Sequence, residues 1–101
     1  MTYFESIYNR TREAVEEIVP DLPNEWMQRK TYEATIAKAI LIRHLELQGF
    51  TRRLICHYTG LGKSTVKQHI NTYNARLETD RLLRILTAHV GNKLKASGTG
   101  E

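Results

Sequence analysis

The sequence predicts an all-α fold of about five helices built around a central helix-turn-helix. Apolar residues recur at three- and four-residue steps along nearly the whole chain, and no alternating strand of convincing length occurs. One glycine-bearing break, Thr59-Gly60-Leu61-Gly62, divides two short periodic segments. At 101 residues, 41% apolar and 26% charged, the chain can bury one core and has no room for two. A single domain over residues 1–95 is expected, with a frayed polar tail at 96–101.

The elements follow in order. Thr2 and Glu5 have capping-box spacing, and Phe4, Ile7, Tyr8, Ala14, Val15, Ile18 and Val19 trace a broad apolar stripe. Pro20 and Pro23 end that helix near Val19. Asn24 is the expected cap of a second helix, in one or two pieces, that carries Trp26, Tyr32, Ile36, Ala37, Ile40, Leu41 and Leu45. It is the most apolar segment and the expected centre of the core, with Gly49 as its left-handed stop. Thr51 caps a short helix through Leu54, Ile55 and Tyr58, and another starts near Lys63 or Ser64 with Val66, Ile70, Tyr73 and Leu77 on one side. A last helix from about Thr79 holds Leu82, Leu83, Ile85, Leu86, Val90 and Leu94.

Charge is divided unevenly. Residues 1–50 hold six Lys/Arg against eight acids, whereas residues 51–101 hold nine against three. The window 51–76 contains Arg52, Arg53, Lys63, Lys67 and Arg76 and no acid. Such asymmetry points to a polyanion partner such as nucleic acid or an anionic membrane. No 18-residue apolar run and no basic-then-apolar leader occurs, and Cys56 is the single cysteine, so a cytoplasmic protein that does not bind membranes is expected.

Residues 51–75 carry the helix-turn-helix spacing. Cys56 is the small residue expected where the helices cross, Gly60 four positions later tolerates positive φ, Leu61 plugs the turn, and Val66 is the buried β-branched residue. That placement leaves Lys63, Ser64, Thr65, Lys67, Gln68 and Asn71 as the base-facing set for double-stranded DNA. Arg52, Arg53 and Arg76 are the expected phosphate contacts, with Arg29 and Lys30 as outlying ones.

Residues from about Arg29 to Leu94 resemble the C-terminal DNA-binding domain of the bacterial replication initiator DnaA, of the Trp-repressor-like helix-turn-helix group. The likeness rests on the Ala/Ile/Leu segment 34–47, on Gly49-Phe50-Thr51, on the block Gly60-Leu61-Gly62-Lys63-Ser64-Thr65-Val66, and on the Leu-rich turns that follow. In that family an Asp-His-Thr-Thr-Val run reads the target box. Ser64, Thr65 and Val66 take the Thr-Thr-Val places, so the resemblance implies hydroxyl contacts from Ser64 and Thr65. Gly62 and Lys63 replace the Asp-His pair, and the family's ATPase domain has no counterpart, so initiator activity is not implied. The pattern from Gly60 to Tyr73 is also similar to the Fis-type helix-turn-helix, but a further helix after Tyr73 favours the initiator-like resemblance.

Other chemistries fit poorly. Gly60-Leu61-Gly62-Lys63-Ser64-Thr65 has the end of a P-loop but lacks the earlier glycine, where His57 stands, and the preceding strand. Cys56 with His57 or His69 has no recognised zinc spacing, and a thiol facing the interior is no nucleophile. His69 is expected to be a structural histidine against the neighbouring helix, and Trp26, Tyr32 and Tyr73 are expected at the core and its edge. The expectation is therefore a transcription or replication regulator without catalysis, metal or cofactor. Its rivals are a helical protein-interaction adaptor and the DNA-binding subunit of a recombinase or transposase. The amphipathic helices 2–19 and 79–95 offer surfaces for a homodimer, the expected binding species, with a monomer as the alternative.

Overall fold

The computed structural model describes residues 2–98, and among them every regular element is helical. Helix α1 spans Tyr3–Ile18, a single 3-10 turn spans Trp26–Gln28, and α2 spans Tyr32–Leu47. Then come α3 (Arg52–Thr59), α4 (Lys63–Arg76) and α5 (Arg81–Gly98).

Local chemistry sets these boundaries. Thr2 accepts from the Glu5 amide while the Glu5 carboxylate reaches back to the Thr2 amide, which closes the expected capping box. Thr31 and Thr51 cap α2 and α3 through their hydroxyls, and Asp80 Oδ1 accepts from the Leu83 amide at the start of α5. Asn24 caps neither piece of the second helical segment. The backbone turns left-handed at Asp21 and Glu25, and α2 begins only at Tyr32, after its cap Thr31.

Helix α2 packs against every other helix. Its buried residues run almost without interruption from Ala34 to Leu45, and a helix apolar all round is an interior one. The 3-10 turn buries Trp26, whose indole N–H donates to Glu16 at 3.0 Å, with Arg12 over its ring. Tyr32, expected at the core edge, is instead half exposed and donates to Asp80.

The helix-turn-helix pair is held from both sides. Phe4 and Tyr8 of α1 meet Phe50 and Tyr58 at ring separations of 5.0 and 5.3 Å, which ties α3 to α1. Val66 and Tyr73 bury α4 against the core, and the Tyr73 hydroxyl donates to Thr87 of α5. Each fully buried side chain of this size contributes about 1.5–3 kcal/mol, so Val66 and Tyr73 fix which side of α4 faces inward.

Two expectations need correction. Cys56 is only half-buried. Ile55, one position earlier, is fully buried, and the mostly buried Thr59 donates its hydroxyl to the Ile55 carbonyl at 2.7 Å. A one-residue step turns a helix by roughly 100°, so Ile55 points into the core while Cys56 packs against it at the margin. The tail is also shorter than expected, because α5 continues through Ala96 and Ser97 to Gly98. Ala is the best helix former and extends the last turn. The remainder of that tail, residues 99–101, lies outside the described residues.

Candidate nucleic-acid interface

The turn between α3 and α4 takes three residues, Gly60 to Gly62. Gly60 adopts φ +77°, and its amide donates to the Cys56 carbonyl, which closes α3. The Thr59 hydroxyl accepts from the Leu61 amide at 3.2 Å and holds the turn. Gly62 caps α4 without a side-chain acceptor, so amides of the first turn stay open beside Lys63 and Ser64.

All eleven residues expected to meet DNA are exposed. The structure sorts them into a face and two flanks. Ser64, Gln68 and Asn71 lie opposite buried Val66 and Tyr73 and form the outward face of α4. On one flank Arg52 and Arg53 of α3 join Lys63, Ser64 and Lys67 around a groove of about 360 Å³. On the other flank α2 and α4 enclose a groove of about 480 Å³, lined by Lys30, Thr35, Lys38, Thr65, Gln68, His69, Thr72 and Arg76. Its floor continues inward against Ile36, Ala39, Tyr73 and Leu83. Lys63, Lys67 and Thr65 therefore flank the outward face rather than centre on it.

Neither groove is lined by an acid. The ion pairs among the described residues, Arg12–Glu16 and Lys93–Glu17, involve α1 and α5 and none of the groove cations. Arg29 lines neither groove. Its carbonyl instead accepts from the Lys38 ammonium at 2.6 Å.

Sequence reasoning missed Lys38, Thr35 and Thr72 and gave His69 a purely structural role. Lys38 stands in the most apolar helix, and its neighbours on both sides are core alanines. The available signal is the spacing His69, Thr72, Arg76, which puts three polar side chains on one edge of α4. Burial, followed by the nearby charge of Lys30, pulls the Lys38 ammonium below the usual lysine range. Burial and then Lys38 push the His69 imidazole below its ordinary value.

Among the described residues no three His, Cys, Asp or Glu side chains are grouped to hold a metal, and no helix is long and apolar enough to cross a membrane. The chain Gly60–Thr65 follows a helix rather than a strand, unlike a phosphate-binding P-loop. No family model, curated protein or solved structure matches this chain. The resemblances to DnaA and Fis rest on the motif residues alone.

Proposed function

We propose that this chain is a sequence-specific double-stranded DNA-binding protein of helix-turn-helix type, a regulator of transcription or replication without catalytic activity. One observation carries the reading: two acid-free basic grooves flank the polar outward face of α4. A helix with side chains is about 10–12 Å across, close to the roughly 12 Å width of a major groove. Ser64, Gln68 and Asn71 would meet base edges, with Thr65 reaching from the flank. Arg52, Arg53, Lys63 and Lys67 would lie along a phosphate track. With a DNA ligand, the expected location is the cytoplasm, on the nucleoid.

One module reads few base pairs, and each good bidentate contact discriminates by about 1–3 kcal/mol. Leu82 and Ile85 on α5 are 42% exposed each and lie one turn apart. They favour pairing of two chains, which would double the readout over half-sites about one helical turn apart. The same two residues are what a protein-interaction adaptor would use.

Selection from a random duplex pool tests the proposal. The expected result is one enriched sequence, with Ser64→Ala and Gln68→Ala relaxing preference at individual positions. Failure to retain any duplex, in a folded protein, would move the function to the adaptor reading.

A further inference from the structure

The groove between α2 and α4 is built differently from the one at α3. Its charges come from three separate stretches of chain: Lys30 before α2, Lys38 within it, and His69 and Arg76 on α4. Thr65 and Thr72 add hydroxyls to the same wall. Lys38 is 6% exposed and anchored on the Arg29 carbonyl, so the fold keeps a cation in the groove at a cost in desolvation. A buried ammonium that faces like charges and no acid is a poor way to stabilise a helix bundle and a suitable way to attract an anion.

The groove also has a defined position. It runs along the opposite side of α4 from Arg52, Arg53, Lys63 and Lys67, about a helix diameter away. A major groove is bordered by phosphates of both strands at that separation.

We propose that the α2–α4 groove seats a phosphate of the DNA strand opposite the one held at α3, with Lys30, Arg76, Lys38 and His69 as its cationic wall. This inference rests on the duplex-binding reading above. His69 gives the seat a proton dependence. In the free protein burial and Lys38 disfavour its charged form, and no acid lines the groove to counter them. A phosphate oxygen would supply the missing negative charge, so binding takes up a proton. The charged groups that line the groove with His69 are Lys38 and Lys30 from the α2 side and Arg76 from its own helix, and Lys38 is the one that acts on the imidazole.

Phosphate-ethylation interference on a bound duplex tests the seat. Wild-type protein should be blocked by ethylation on both strands. Lys30→Ala with Arg76→Ala, both at exposed positions, should erase the interference on one strand only. Arg52→Ala with Arg53→Ala should erase it on the other. At fixed ionic strength, duplex affinity should rise about three- to tenfold from pH 8 to pH 6, and His69→Gln should flatten most of that rise.

Interference that the Lys30/Arg76 variant leaves unchanged, or weakens equally on both strands, overturns the inference while leaving duplex binding standing. Absence of duplex binding by the wild type overturns the underlying reading instead. The His69 ring protons, followed by NMR, separate the two sources of phosphate. They should shift with duplex and stay in place with millimolar inorganic phosphate. Saturation by inorganic phosphate alone at micromolar concentration would overturn the strand assignment in favour of a free phosphate ligand.

Discussion

Gly60 and Gly62 stand two residues apart in one turn, yet substitution should move stability in opposite directions. A Cβ at either position meets no atom within 4 Å, so crowding does not distinguish them. Backbone conformation does. Gly60 is left-handed at φ +77°, while Gly62 is extended at φ −74° and ψ 161°. An alanine at Gly60 must hold a conformation that costs an L-residue about 1–2 kcal/mol. Reduced freedom of the unfolded chain returns about 0.4–1 kcal/mol, leaving a loss of about 1 kcal/mol. At Gly62 the same unfolded-state term is a gain. A serine there also gives α4 the N-cap acceptor it lacks, adding a few tenths of a kcal/mol. For a domain of this size 1 kcal/mol moves the melting temperature by about 4–8 °C. Gly60→Ala should therefore melt about 4–8 °C below wild type, and Gly62→Ser by a similar interval above it, followed by circular dichroism at 222 nm. Two shifts of the same sign, or a Gly60→Ala variant as stable as wild type, would refute the left-handed turn and with it the placement of α4 against α3.

Val66→Asp buries an unpaired charge at a fully enclosed site and should abolish cooperative melting, whereas Cys56→Ala, at a half-buried margin, should shift it by only a few degrees. Gly91→Ala should forfeit the roughly 1 kcal/mol that alanine normally adds to a helix, because its Cβ would lie 3.3 Å from the His44 ring; a clear rise in melting temperature contradicts that contact. Burial lowers the pKa of His44, opposed by its hydrogen bond to the Thr87 carbonyl, and His69 is lowered as well. The unfolded chain then takes up protons more readily, so stability should be full above about pH 6.5 and decline as pH falls through the lowered folded-state values. Urea midpoints at pH 8 and pH 5 check the sign, and a higher midpoint at pH 5 contradicts it.

Most of the fold was legible because its signals are local. The capping box at Thr2 and Glu5, the stop at Pro20 and the left-handed Gly60 each act within a few residues. The misplacements share a different cause. How deeply Cys56 and Ile55 are buried depends on how α3 is rotated, and α3 is tied to α1 where Phe50 and Tyr58 meet Phe4 and Tyr8. Sequence periodicity finds the apolar side of a helix but not its centre when aromatic residues border both edges. The acid-free window made the α3 groove readable, since its four cations lie within 16 residues. The second groove was not readable from sequence. Lys30 and Arg76 are 46 residues apart, and Lys38 is embedded in a run of core residues. Only the packing of α2 on α4 brings them together.

If the two grooves hold the sugar-phosphate backbone of a duplex, binding must weaken steeply with salt. Six exposed cations line them: Arg52, Arg53, Lys63, Lys67, Lys30 and Arg76. If four to six of these meet phosphates, the log–log plot of affinity against salt should slope between about −3.5 and −5.5 per bound chain. Fluorescence anisotropy with a labelled duplex, from about 50 to 200 mM salt, gives that slope. A slope in this range, made shallower by roughly two in the Arg52→Ala/Arg53→Ala variant, is the predicted result. A slope near zero, or one that the variant leaves unchanged, would contradict the claim.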